Sequence, residues 1–120
     1  MRTVPTIDEN DAKKAMKAAL EEAKLQGTAI VVAIVDMAGF LMAFVRQDGV
    51  RLADIDMVIN DARNAALAGV GLDRKQGHVM PLMHGDDVIG MIAVSSGSFE
   101  TGAIMSAVHA VMIKRRRKRS

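Results

Sequence analysis

The stretch "TAIVVAIVDMAGFLMAFVRQDG", residues 28–49, constrains the fold more than any other part of the chain. It holds two apolar runs, "AIVVAIV" and "FLMAFV", separated by "DMAG" and followed by the break "QDGVR". In a strand, successive side chains point to opposite faces. A β-branched run that is apolar at every position therefore predicts a strand buried on both sides. The expected unit is a hairpin in a sheet covered on both faces by helices or by a second subunit. "DMAG" supplies the turn.

Helical patterns flank the hairpin. Thr6 and Glu9 have capping-box spacing, so a first helix is expected from near Ile7. Ala12, Ala15, Met16, Ala19, Leu20 and Ala23 form its apolar stripe, with Lys13, Lys17, Glu21 and Lys24 on the wet side and Gly27 at its end. A second helix is expected over about 53–68, burying Ile55, Val58, Ile59, Ala62, Ala65 and Ala66, and closed by Gly69 and Gly71. "HVMPLMH" and "DVIGMIAVS" read as two further strands around "HGDD". Pro81 assigns the first of them to a sheet edge or a bulge, because proline donates no ladder hydrogen bond. "SSGS" leads into a last helix with Ser98 as N-cap and Ile104, Met105, Val108, Val111 and Met112 as its stripe. The order α-β-β-α-β-β-α, with hairpins in place of crossovers, predicts an α+β domain with a mostly antiparallel sheet flanked by helices.

A chain of 120 residues suits one domain, expected over 1–113, with a basic C-terminal tail at 114–120. The apolar fraction of 50% includes ten Met and three Phe but no Trp or Tyr, so the core is aliphatic and Met-rich. That apolar surplus in a small chain favours a homo-oligomer with a buried interface. With no Cys, disulfides, zinc thiolates, iron–sulfur clusters and thiol nucleophiles are excluded. The N-terminus lacks the apolar core of a signal peptide, and no apolar run is long enough to span a bilayer. A cytoplasmic protein without a membrane partner is expected. The net charge of +2 is a product of the tail "KRRRKR", which holds six of the sixteen basic residues. The body is acidic, and no aromatic stacking partners accompany the basic charge of the tail, so nucleic acid is not the expected partner.

Residues 34–49, "IVDMAGFLMAFVRQDG", together with the following "VRLADIDMVINDARNAALAG", resemble the GlcG/HbpS-like family, often called the haem-degrading domain family. That family also includes the C-terminal domain of PduO-type proteins. Asp36, Gly39, Ala43, Phe44, Arg46, Asp48 and Gly49 match its first signature block. Pro81, Gly90, Val94, Ser95 and Gly97 match its second. Asp61 stands where the family pattern has Lys, and His78 where it has Gly. Glu100-Thr101-Gly102 replaces the usual "EQD", and the connector at 71–77 is short. The resemblance implies a profilin-like α+β fold, a homo-oligomer, and a small ligand, with haem or another tetrapyrrole as the cofactor.

Several residues could serve such a ligand. An imidazole can ligate haem iron, and His78 and His109 are the candidates; the alternative is a histidine satisfied within the core or an interface. Ser95, Ser96, Gly97 and Ser98 resemble an anion nest before a helix N-terminus, able to hold a carboxylate, or else an ordinary capped turn. Arg46, close to Asp48 and Arg51, can clamp a carboxylate bidentately, or pair with Asp36 or Asp61. The absence of a GxSxG elbow speaks against a serine hydrolase. Two other functions compete with ligand binding: an enzyme acting on a small organic acid through Arg46 and Ser95–Ser98, and an accessory subunit. Whether the protein is an enzyme is left open by the sequence.

Overall fold

The computed structural model describes residues 6–68, 78–95 and 101–117. Three helices, α1 (Glu9–Leu25), α2 (Ala53–Ala68) and α3 (Thr101–Arg117), surround four strands, β1 (Val31–Asp36), β2 (Leu41–Arg46), β3 (Val79–His84) and β4 (Asp87–Val94). The chain order is the expected α-β-β-α-β-β-α. All strand pairs are antiparallel, in the spatial order β2-β1-β4-β3. The sheet is thus two hairpins joined along β1 and β4, which leaves β2 and β3 as edges.

Side-chain alternation along β1 decides which layer each residue joins. Ile30, Val32 and Ile34 point to one face and pack with Ile92 and Val94 under α1 and α3. Val31, Ala33 and Val35 point to the other, against Val58, Ala62, Ala65 and Ala66 of α2. Every residue of β1 from Val31 to Val35 is fully buried, as its unbroken apolar run requires. β2 differs from the expectation. Leu41 and Met42 are exposed and Ala43, Phe44 and Val45 only half-buried, because β2 is an edge strand that the helices cover incompletely.

Two register shifts shape the sheet. Ile34 pairs with Ala43 and Val35 with Leu41, so Met42 is the extra residue of a bulge. On the other edge Leu82 pairs with Gly90 and Met83 with Val88, which makes Ile89 extra. Pro81 lies in edge strand β3 beside this second irregularity, where its missing N–H breaks no ladder bond.

The first helix starts later than its sequence spacing predicts. Asp8, not Thr6, is the N-cap: its side chain accepts from the Asp11 N–H, and the Asp11 carboxylate accepts in return from the Asp8 N–H. The cause lies one residue upstream. Ile7 is buried, and its N–H donates to the Ile89 carbonyl at 3.3 Å, so it is tied to β4 and cannot enter the helix. At the other end Gly27 adopts φ +70°. There the Gly27 N–H donates to Lys24 O and the Thr28 N–H to Ala23 O, a Schellman closure that glycine permits without strain. The last helix runs through Arg117, so the backbone of Lys114–Arg117, the described part of the basic segment, continues α3. Among the described residues no helix is long and apolar enough to cross a membrane.

Candidate ligand-binding groove

Incomplete cover of β2 leaves an open groove of about 960 Å³ between that strand and α1. Met16 and Leu20 come from the edge of the apolar stripe of α1, and Ala43 and Val45 from the same face of β2; together they make an apolar floor. Lys13, Lys17, Glu21 and Lys24 line the rim on the helix side. Lysine stems are apolar, so they extend the wall while their ammonium groups stay in water. Thr28, Gln47 and Asp48 close the end nearest the α1–β1 connection. Gln47 is fixed there: its side-chain oxygen accepts from the Ile30 N–H at 2.8 Å, and its own N–H donates to Ile30 O at 3.1 Å.

The groove is electrostatically uneven. Because α1 runs back over the hairpin, Lys13 and Lys17 stand toward Ala43, and Lys24 with Glu21 toward Gln47 and Asp48. The two carboxylates thus sit at one end with the single ammonium of Lys24, and the ammoniums of Lys13 and Lys17 stand at the other. Lys13 contacts Glu9 at 3.3 Å, but both side chains are more than two-thirds exposed. Such a pair is worth a fraction of a kcal/mol, roughly 0.3–0.5 for this helical spacing. A ligand carboxylate can therefore recruit Lys13 at little cost.

The residues that the sequence nominates fall elsewhere. Arg46 is exposed, ends β2 and lies opposite Val31. Ser95 is buried just past β4; its hydroxyl accepts from the Val31 N–H at 3.0 Å. His78 precedes β3, and its carbonyl accepts from the Val94 N–H at 2.9 Å. Arg46, Ser95 and His78 therefore share one end of the sheet, with Arg46 and His78 on opposite edges, three interstrand spacings or about 14 Å apart. His109 is exposed on α3 and takes no part in that row. Ser96, Gly97 and Ser98 lie outside the described residues, as do Gly69, Gly71 and the connector that follows. Among the described residues no three metal-binding side chains converge.

His78 Nε2 lies 2.8 Å from Asp61 Oδ2, joining the start of β3 to α2 on the sheet face opposite the groove. Both side chains are about four-fifths buried. These are two of the positions at which the sequence departs from the pattern of the family it resembles, and they contact each other. Asp61 is therefore not the partner of Arg46. Nor is Asp36, whose carboxylate caps the hairpin turn by accepting from the N–H groups of Ala38 and Phe40.

The model of the family described as haem degrading protein, HbpS-like, matches residues 7–74, more than half of the chain. The chain belongs to the HbpS-like family. Solved structures agree with this HbpS-like fold. The Klebsiella pneumoniae protein ORFY superposes with a TM-score of 0.77 at 21% identity, covering 94% of each chain. HbpS itself gives 0.76 at 19% identity, over 92% of this chain and 93% of that one. PduOC, crystallised as a complex with haem, gives 0.72 at 20% identity, over 88% and 94%. No curated protein sequence matches the chain.

The groove residues escaped the sequence analysis for a definite reason. Lys13, Lys17 and Lys24 read as a solvated helix face, and Met16 and Leu20 as core. Only the placement of β2 at an edge turns the seam between them into a concave surface. The one available signal was Leu20, at the border of stripe and wet side.

Proposed function

We propose that this HbpS-like chain is a small-ligand binding protein whose groove between α1 and β2 takes an anionic ligand with a flat apolar body, of the haem or tetrapyrrole class. The observation that carries this reading is the juxtaposition of an apolar floor, Met16, Leu20, Ala43 and Val45, with the ammonium groups of Lys13 and Lys17. Ligand sites are typically concave, mostly apolar, about 300–1,000 Å³ in volume, and marked by a few placed polar groups. The family description and the haem complex of PduOC support the same ligand class. Backbone amide NMR with added haemin tests the reading. Shifts concentrated at residues 13–24 and 43–48 are expected. Shifts confined to the end of the sheet near Arg46 and His78 would move the ligand there.

Self-association accompanies this reading. Phe40, Leu52 and Leu67 are 65–71% exposed. Gly39, next to Phe40, packs against the Leu67 side chain at a distance of 3.4 Å from its ideal Cβ position, so the hairpin turn and the end of α2 form one apolar patch. A patch of this kind suits burial against a second copy of the chain.

A further inference from the structure

Haem offers a protein three handles: a flat apolar macrocycle, two carboxylates and an iron ion. The groove has counterparts for the first two. For the third it has almost nothing. Iron in haem is held by imidazole, thiolate, phenolate or thioether. The chain contains no Cys or Tyr, and none of its three histidines is among the residues that line the groove. Of those four donor types the described lining offers only the thioether of Met16, which is 93% buried within the core that joins α1 to the sheet. Turning its sulfur toward a ligand would empty that packing position.

Resting on the ligand-binding reading above, we infer that the groove recognises a dicarboxylate porphyrin by its apolar body and its carboxylates and leaves the metal unligated. Lys13 and Lys17 are four residues apart on α1, about 6 Å along the axis, and both overlook Ala43 and Val45 on β2. Two ammoniums at that spacing can meet two carboxylates on one edge of a planar molecule whose face rests on the floor. At the other end Glu21 and Asp48 outnumber the single ammonium of Lys24, which sets the direction in which the molecule lies. The metal at the centre of the ring then faces aliphatic carbon.

The test is a pair of equilibrium titrations on the full chain, one with haemin and one with metal-free protoporphyrin IX. The inference expects dissociation constants within about threefold of each other. The double variant K13Q/K17Q should weaken both ligands by the same factor, about tenfold, or roughly 1.4 kcal/mol for two exposed ion pairs together. Met16→Leu, which keeps the volume and removes the sulfur, should leave the Soret band of the haemin complex unmoved. Three results overturn the inference while leaving the ligand-binding reading intact: haemin binding at least tenfold tighter than protoporphyrin, loss of haemin binding in His78→Ala or His109→Ala, or a Soret shift in Met16→Leu. Binding of oleate with exclusion of both porphyrins overturns the planar-ligand assignment. No binding of either porphyrin overturns the reading itself.

Discussion

Val31 and Ser95 are joined twice: the Val31 N–H donates to Ser95 Oγ at 3.0 Å, and the Ser95 N–H donates to the Val31 carbonyl at 2.9 Å. The second bond continues the β1–β4 ladder past its last strand pair. The first replaces a ladder bond with a side chain. Both residues are buried, so the hydroxyl is occupied by the scaffold. Ser95→Ala leaves the Val31 amide without its acceptor and should cost about 1–3 kcal/mol. Urea denaturation measures this directly. If the ligand sits in the α1–β2 groove, the same variant should bind haemin as wild type does.

Gly90 has a different constraint. It lies in β4 between Asp36 and Leu82, and a Cβ there would stand 2.6 Å from the Val35 carbonyl oxygen and 3.3 Å from Ile7 Cγ2. The backbone of β1 cannot yield without breaking its ladder. Gly90→Ala should therefore destabilise by about 1–3 kcal/mol, the usual range for overpacking, with a lowered thermal midpoint. Gly102→Ala is a suitable control, since its Cβ would meet nothing within 4 Å.

The Asp61–His78 contact should couple α2 to β3. A double-mutant cycle with Asp61→Ala and His78→Ala should return a coupling of about 0.5–1.5 kcal/mol, the net worth of a largely buried hydrogen bond. A coupling near zero would mean that each residue is held independently by its own element. Because the pair sits on the face away from the groove, neither variant should change porphyrin affinity more than about twofold.

Exposed Phe40 and Leu67 predict self-association. Sedimentation velocity should show a species larger than the 12.9 kDa chain, reduced toward the monomer in the double variant Phe40→Ser/Leu67→Ser. Both side chains are largely in water in the single chain, so the helical circular dichroism of that variant should persist. A wild-type protein that stays monomeric at high concentration would remove this part of the account.

Most of the fold was legible because hydrophobic periodicity is a local signal. The unbroken run 29–35 could only be a central strand, and Val31–Val35 are all fully buried. Pro81 marked an edge, and Gly27 marked a helix end. The start of α1 was misplaced by two residues because Ile7 answers to Ile89 of β4, distant in the chain, and no spacing rule contains that contact. The exposure of β2 was hidden for a similar reason. Its sequence, "LMAFVR", reads as buried on both faces, and only the pairing of β1 with β4 sends it to the edge. The groove depends on that placement, so it was invisible in the sequence. Arg46 and Ser95 were nominated from motifs and His78 as an imidazole; the sheet gathers the three at one end, yet Ser95 and His78 already have partners within the protein.

The groove itself is the central claim, and filling it is the most direct test. Ala43 is half-buried on its floor, so Ala43→Trp should occupy the space above Leu20 and Met16 from an edge strand that can accommodate it. Haemin affinity should be measured by Soret titration for wild type and Ala43→Trp, with thermal denaturation of both to establish folding. The account predicts one haemin per chain for wild type and at least about tenfold weaker binding for a folded Ala43→Trp. Equal affinity in the two folded proteins would contradict it.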